Sequence, residues 1–178
     1  MTAIRPNRLH HTAYVTKDLR ATCAFYEDLI GLPLVATWCE ADELFGKVRT
    51  YCHCFFGLED GSALAFFQFA EAGDQAEFGP TMPESPFHHV ALHVDRATQD
   101  RVAARLREAG YREPRTYVLE HGYCRSLYVS DPNGMLIELT TDAPEAIAPE
   151  VVSAKTRDAH GELERWLAGD HSSNNTYR

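Results

Sequence analysis

Two histidines occupy equivalent positions in a repeated segment of the chain. Leu9-His-His-Thr-Ala-Tyr-Val returns as Phe87-His-His-Val-Ala-Leu-His-Val, so the step from His11 to His89 is 89 − 11 = 78 residues. Neutral imidazole is a ligand for Zn, Cu, Fe and Ni. A single strand histidine is more often a core residue, but two at repeat-related positions favour a shared role as metal ligands.

A glutamate adds a third metal-competent side chain. Glu138 stands between Ile137 and Leu139 in the last strand-like segment of the second repeat. A carboxylate among apolar residues is costly to bury unless a cation or a hydrogen-bond donor meets it. Two imidazoles and one carboxylate form the facial triad that leaves open positions on Fe(II). The sequence therefore predicts a metal site built from His11, His89 and Glu138.

Alternation along the strands assigns these side chains to faces. His89 shares a face with Ala91 and His93, whereas Val90 and Leu92 point the other way. The Val/Leu face suits packing beneath a helix, which leaves His89 on the open face. His93 is therefore predicted to contact a substrate.

The elements that must position the site recur in both repeats. Each repeat shows a short strand that ends at an acidic N-cap, Asp18 or Asp95, and then a helical pattern over residues 19–30 or 97–109. Further strands follow in both halves. This order predicts an α+β fold in which two paired βαβββ modules form open, curled sheets around a metal site.

The predicted modules leave a linker and a C-terminal extension. The modules span residues 1–78 and 87–141, and the Pro-rich segment 79–86 joins them as a stiff linker. Residues 37–47 are expected to form a loop that shapes the pocket. Within the extension, residues 142–178, we expect an amphipathic helix over 153–168 and a frayed polar tail.

Composition restricts the class of protein. The net charge of −9 argues against a nucleic-acid partner, and no apolar run approaches membrane-spanning length. Five scattered cysteines, without a signal-peptide pattern, predict reduced thiols and a cytoplasmic location. Cys52-His53-Cys54 looks like a metal cluster, but strand alternation sends His53 to the face opposite both cysteines.

Three motifs resemble the vicinal oxygen chelate superfamily, which includes glyoxalase I, type I extradiol dioxygenases, fosfomycin-resistance transferases and bleomycin-binding proteins. The motifs are His-Thr-Ala-Tyr-Val-Thr-Lys-Asp18, His-Val-Ala-Leu-His-Val-Asp95 and Asp131-Pro-Asn-Gly-Met-Leu-Ile-Glu-Leu139, within a match over about residues 9–141. The resemblance implies one metal bound where His11, His89 and Glu138 stand. It also implies a homo-oligomer, a dimer or higher.

Two positions separate the branches of that superfamily. Glyoxalases carry a further carboxylate on the last strand of the first module, where this chain is expected to place Phe67 or Gln68. Extradiol dioxygenases carry an active-site Tyr ten residues before the ligand Glu, and Tyr128 stands there. His121 resembles their acid/base histidine. The resemblance thus implies Tyr128 and His121 as catalytic residues, with Phe67 and Gln68 near the substrate.

The function predicted from these residues is Fe(II)-dependent extradiol cleavage of a catechol-type aromatic diol, with O2 as the second substrate. One alternative is a metal-dependent isomerase or lyase of the same superfamily. Such an enzyme would use Mn(II), Ni(II) or Zn(II) and take a fourth contact from Gln68 or water. The other alternative is a non-enzymatic module that binds a planar small molecule.

Overall fold

The computed structural model of the protein describes residues 6–79 and 85–177. The chain divides into an N-terminal unit, Met1–His88 with Ser130–Met135, and a C-terminal unit, His89–Val129 with Leu136–Arg178. Of the predicted linker 79–86, residues 80–84 lie outside the described residues. Within the described residues, no helix is long and apolar enough to cross a membrane.

The N-terminal unit is a four-stranded sheet with helices. Its strands lie in the order β1-β4-β3-β2, with β1 parallel to β4 and the other neighbours antiparallel. Its elements are β1 (His11–Val15), α1 (Leu19–Cys23), a π-helical segment (Ala24–Ile30), β2 (Leu34–Leu44), β3 (Lys47–Gly57), β4 (Ala63–Phe69) and α2 (Ala72–Phe78).

The first predicted helix forms over its full predicted length. The Asp18 carboxylate accepts hydrogen bonds from the backbone N–H groups of Arg20 and Ala21, which satisfies two donors that a helix start leaves open. Gly31 ends it with a φ of 93°, in the left-handed region. The second half of the helix is π-helical, which the apolar spacing did not indicate.

Aromatic rings build the core of the N-terminal unit. Tyr26 is fully buried, and its ring centroid lies 5.2 Å from that of Phe56 and 4.9 Å from that of Phe66. The Tyr26 hydroxyl donates to Oδ2 of Asp131 at 3.1 Å. Burial raises the pKa of Tyr26 well above its usual range, and the Asp131 charge adds to the shift.

Residues 37–47, expected as a loop, belong instead to the long β2–β3 hairpin. Leu44 pairs with Lys47 across a two-residue turn formed by Phe45 and Gly46, whose φ angles are 53° and 83°. Two positive φ values are the signature of a type I′ turn, whose twist matches that of paired strands. The hairpin is exposed at several apolar side chains, among them Trp38.

The C-terminal unit repeats the same sheet topology. Its strands lie in the order β5-β8-β7-β6, with β5 parallel to β8 and β6 antiparallel to β7. Its elements are β5 (His89–His93), α3 (Arg96–Glu108), β6 (Thr116–Glu120), β7 (Cys124–Ser130), β8 (Leu136–Asp142), a 3-10 turn (Pro144–Ala146) and α4 (Pro149–Leu167). The predicted α+β class and the repeated βαβββ order are confirmed.

Helix α3 is anchored to the sheet by a buried amide. The Gln99 side chain donates to the carbonyl oxygens of Leu139 at 2.7 Å and Arg125 at 3.0 Å, which lie on β8 and β7. Gln99 itself is fully buried. Because a buried carbonyl without a donor costs free energy, this amide fixes the helix against both strands.

The C-terminal extension differs from its prediction in two respects. Helix α4 begins at Pro149 rather than near residue 153, because proline is well suited to the first turn of a helix. The tail is not frayed: the Asn175 side chain donates to the His121 carbonyl at 3.2 Å, and Arg165 donates to Ser172. These contacts give the polar tail partners that composition alone did not indicate.

Candidate metal and active site

The predicted ligands of the second repeat meet on one face of the C-terminal sheet. The parallel pairing of β5 and β8 sets His89 opposite Leu136 and Ala91 opposite Glu138. The Nε2 atom of His89 lies 2.9 Å from Oε2 of Glu138. The His89 side chain is 31% exposed, whereas that of Glu138 is 9% exposed, so the pair has one open side and one buried side.

The apolar neighbours of Glu138 fix its direction. Ile137 and Leu139 are buried on the opposite face of β8, where α3 packs. Because side chains alternate along a strand, burying these two residues directs Glu138 to the face that carries His89. The alternation predicted from the sequence is confirmed here.

Ser126 holds the carboxylate of Glu138. Its hydroxyl donates a short hydrogen bond to Oε1 of Glu138, and it lies 3.3 Å from the Thr140 hydroxyl. Ser126 is fully buried in β7. With Oε1 engaged by Ser126, Oε2 is the carboxylate oxygen that faces His89.

Tyr128 and His121 form a second polar pair beside this carboxylate. The Tyr128 hydroxyl lies 3.3 Å from Nε2 of His121, and the Tyr128 ring packs edge-on to His89 at 5.9 Å between centroids. The Tyr117 ring stacks on that of Tyr128, at 5.0 Å between centroids and an interplanar angle of 19°. The structure thus brings four predicted site residues together within the C-terminal unit: His89, Glu138, Tyr128 and His121.

The environment of Tyr128 keeps its proton in place. Burial raises the pKa of Tyr128 to about 12, with the negative charge of Glu138 adding to the effect. The pKa of Tyr117 is raised for the same two reasons. Near neutral pH both phenols are therefore hydrogen-bond donors rather than anions.

Cys124 and Ser126 lie near Glu138, but the sequence analysis assigned no role in the site to either residue. Ligand atoms of His121, Cys124 and Glu138 all lie within 4.8 Å of one another. Cys124 and Ser126 precede Tyr128 at intervals of two along β7, so the alternation that placed Tyr128 also places them on its face. That periodicity was the available signal for both residues.

The predicted ligand of the first repeat lies among aromatic rings in the N-terminal unit. The His11 ring contacts Phe55 at 5.4 Å and His53 at 6.0 Å between centroids, and its Nδ1 lies 2.7 Å from Nδ1 of His10. His53 stacks on Phe67 at 3.6 Å. Within the described part of the chain, Nε2 of His53 is buried without a hydrogen-bond partner.

The strand register corrects the position equivalent to Glu138 in the first repeat. His11 pairs with Ala63 as His89 pairs with Leu136, so the residue that corresponds to Glu138 is Ala65, not Phe67 or Gln68. The absence of a carboxylate at this position still holds. The error arose because the pairing of β1 with β4, which sets the equivalence, is a non-local contact.

The structure places the remaining residues predicted to contact a substrate, Gln68, His93 and Phe67, in different surroundings. Gln68 lies on the face of β4 opposite His11, where its amide oxygen accepts from the backbone N–H of Leu19 at 2.8 Å. The start of helix α1 thus engages this amide oxygen, and a contact of Gln68 with a substrate stays a prediction. His93 is exposed, with Nε2 3.7 Å from Oδ2 of Asp142. Contacts of Phe67 and His93 with a substrate stay predictions.

A family model identifies the chain. The model described as Glyoxalase/Bleomycin resistance protein/Dioxygenase superfamily matches residues 8–139. The chain belongs to this superfamily. The match ends before α4 and the tail, which includes Asn175, the residue that contacts His121.

One curated protein matches this chain in sequence, and one solved structure matches it in fold. Uncharacterized protein YwbC of Bacillus subtilis (strain 168) is 26% identical over 132 residues, which are 74% of this chain and 94% of YwbC. The fosfomycin resistance protein FosX from Listeria monocytogenes has a TM-score of 0.56 at 20% identity, covering 80% of this chain and 98% of FosX. FosX has also been crystallised with Mn(II) and sulfate.

A further solved structure that is similar to this chain is named as a lyase. Lactoylglutathione lyase from Agrobacterium tumefaciens has a TM-score of 0.50 at 24% identity, covering 77% of this chain and 95% of the lyase. Identities this low describe the shared fold. The chemistry of this chain must be argued from its own site.

Proposed function

We propose that this protein is an Fe(II)-dependent extradiol dioxygenase that cleaves a catechol-type aromatic diol. One observation carries the proposal: the Tyr128 hydroxyl lies 3.3 Å from Nε2 of His121, on the sheet face that holds His89 and Glu138. This arrangement sets a pair of groups able to move a proton beside a pair of groups able to bind a metal.

The donor set fits a divalent iron. His89 offers an imidazole nitrogen and Glu138 a carboxylate oxygen, and these atoms are 2.9 Å apart on the open side of the pair. Ser126 acts behind them as a hydrogen-bond donor that orients the carboxylate. The third ligand of the proposal, His11, rests on the sequence repeat. Bound Fe(II) would supply a site for the two diol oxygens and a route for electrons to O2.

The protein groups divide the proton transfers between them. Because the pKa of Tyr128 is about 12, Tyr128 serves as a hydrogen-bond donor to a substrate oxygen. His121, which has a ring nitrogen next to that hydroxyl, is the group that accepts a proton from a diol hydroxyl and returns it later. The half-buried ring of Tyr117, stacked on the buried ring of Tyr128, offers an apolar contact for an aromatic substrate.

A second candidate is a metal-dependent lyase or isomerase of the superfamily. The observation in its favour is the set of His121, Cys124 and Glu138, whose ligand atoms lie within 4.8 Å of one another. A thiolate, an imidazole and a carboxylate suit Zn(II) better than they suit the open triad of Fe(II). In that case His121 would be a ligand and could not act as a base.

Metal content and oxygen uptake separate these functions. The full chain, purified without oxygen, is analysed for metals and then mixed with catechol or 2,3-dihydroxybiphenyl while O2 is recorded. Iron together with O2 uptake and a yellow ring-cleavage product supports the dioxygenase. Zinc, nickel or manganese without O2 uptake supports the lyase or isomerase, and tight binding of the diol without any metal supports a binding module.

A matched pair of variants tests the role of Tyr128. Tyr128→Phe removes the hydroxyl next to His121, whereas Tyr117→Phe removes a hydroxyl from the ring stacked on it. Removing a general acid/base partner lowers turnover by roughly 10²- to 10⁴-fold, so Tyr128→Phe should lose far more activity than Tyr117→Phe. Equal losses in the two variants would contradict the assigned role.

A further inference from the structure

Three thiols form a row along the β2–β3 hairpin of the N-terminal unit. The sulfur of Cys52 lies 3.7 Å from that of Cys39 on the neighbouring strand and 3.9 Å from that of Cys54 on its own strand. All three cysteines are free thiols. They lie away from the face of His53, so neither the proposed metal site nor its proton-transfer pair uses them.

The turn of the hairpin determines how Cys39 and Cys52 are paired. The strands pair without a shift from Leu44↔Lys47 to Cys39↔Cys52, and the turn between them has two residues. In such a hairpin the pair next to the turn exchanges backbone hydrogen bonds. Successive pairs then alternate between non-hydrogen-bonded and hydrogen-bonded pairs. Counting outward makes Cys39 and Cys52 a non-hydrogen-bonded pair.

A non-hydrogen-bonded pair is the type that a disulfide can bridge directly. Its Cα atoms are about 4.5 Å apart, inside the range of about 4.4–6.8 Å that disulfides span. Cys52 and Cys54, two residues apart on one strand, are separated by about 6.6 Å at Cα, near the upper limit. Cys54 is also buried, at 4% exposure, whereas Cys39 is exposed.

We propose that Cys39 and Cys52 are a redox-active dithiol that closes to an intramolecular disulfide when a low-molecular-weight disulfide such as oxidised glutathione is the oxidant. Cys39 is the attacking thiol because it is the exposed member of the pair. Cys52 is the resolving thiol, placed in sulfur–sulfur contact with it before any reaction begins.

The exchange is balanced in two steps. The Cys39 thiolate attacks one sulfur of glutathione disulfide, whose S–S bond breaks and releases one glutathione as the thiolate. Cys52 then gives its proton to solvent and attacks the Cys39 sulfur, which breaks the mixed disulfide and releases the second glutathione. The chain loses two protons and two electrons, and glutathione disulfide becomes two glutathione molecules.

The environments of the two thiols support this order. Burial raises the pKa of Cys52 to about 12, with the hydrogen bond between its S–H group and Cys39 as the next cause. A thiol with so high a pKa is a poor first nucleophile toward a disulfide in solution. It can still resolve a mixed disulfide held against it, because the effective concentration of a neighbouring group is high.

Peptide mapping of the full chain tests the proposal. The native protein is incubated with glutathione disulfide, alkylated, and digested with trypsin and Glu-C, which separate Cys39 from both Cys23 and Cys52. Cys54→Ser is the matched control for Cys52→Ser, since both remove a thiol from the same face of the same strand.

The expected product is a cross-link between the peptides that contain Cys39 and Cys52. It should form in the wild-type chain and in Cys54→Ser, and fall on the order of tenfold or more in Cys52→Ser, where a stable glutathione adduct on Cys39 should accumulate instead. A cross-link that persists in Cys52→Ser, a Cys39–Cys39 dimer, or a wild-type chain that stops at the glutathione adduct would each overturn the proposal.

Discussion

The Ser126 hydroxyl donates to Oε1 of Glu138, and the other carboxylate oxygen, Oε2, faces His89. Ser126 is fully buried and Glu138 nearly so. A buried carboxylate needs its oxygens satisfied, and a fixed donor on one oxygen directs the other. The contact therefore links the packing of β7 against β8 to the direction in which Glu138, a proposed metal ligand, points.

Ser126→Ala should weaken metal binding without removing a ligand. Loss of an outer hydrogen bond to a metal ligand typically costs about 10- to 100-fold in affinity, and we expect a loss in this range. The measurement is a metal titration under anaerobic conditions, with Ser130→Ala on the same strand as the control. If Ser126→Ala binds iron as tightly as wild type, the hydroxyl does not orient the carboxylate.

Tyr26→Phe should change the stability of the fold at high pH. The pKa of Tyr26 is raised in the folded chain, chiefly by burial, so the native state keeps this proton after the unfolded chain loses it at a pH of about 10. The stabilising contribution is complete below that pH and is lost as the pH rises. From pH 8 to pH 11, wild type should lose more stability than the variant, with an upper limit of about 1.4 kcal/mol set by the unfolded-state pKa.

Urea unfolding of both proteins at the two pH values makes this comparison. At pH 8 the variant should be less stable by about 1 kcal/mol, because the hydrogen bond to Asp131 is gone. Equal pH dependence in the two proteins would mean that Tyr26 ionises normally in the folded state.

Gln99→Leu should destabilise the C-terminal unit although it places an apolar residue in a buried position. The change leaves the carbonyl oxygens of Leu139 and Arg125 without the donor they have in the native structure. Buried acceptors left unsatisfied cost roughly 1–3 kcal/mol each. Urea unfolding should show this loss, whereas Arg101→Ala on the exposed side of α3 should stay within about 0.5 kcal/mol of wild type.

Asn175→Ala should slow the proposed reaction by loosening His121. The Asn175 amide donates to the His121 carbonyl, and Tyr177 packs against Gly122, whose φ is 84°. A displaced acid/base group lowers turnover, so we expect kcat to fall roughly tenfold, with KM and metal content unchanged. The control is Asn174→Ala, since that amide donates to Glu162 instead. A loss of metal in parallel with kcat would indicate a general structural role.

Most of the features that the sequence predicted correctly, the strand faces and the helix starts, follow from local periodicity and capping residues. The Val/Leu and Ile/Leu positions flanking His89 and Glu138 set the two faces, and the N-cap residues Asp18 and Asp95 set the helix starts. These signals depend on residues within a few positions of one another. The α+β repeat and the direction of Glu138 followed from them.

Non-local pairing accounts for what the sequence could not predict. The equivalence of Ala65 with Glu138 is set by the pairing of separate strands, and the hydrogen bond from Asn175 to His121 joins residues 54 positions apart. The hairpin turn at Phe45-Gly46 lacks the Asn-Gly or Asp-Gly pair that usually marks a two-residue turn. Each of these features depends on contacts that no single-segment pattern encodes.

The proposed function requires that His89 and Glu138 hold a catalytic metal. The iron content of anaerobically reconstituted His89→Ala is measured beside that of His88→Ala, which removes the neighbouring histidine just before β5. We expect His88→Ala to retain iron as wild type does and His89→Ala to lose it. Full iron in His89→Ala, with unchanged turnover of the diol, would show that His89 is not a ligand of the metal.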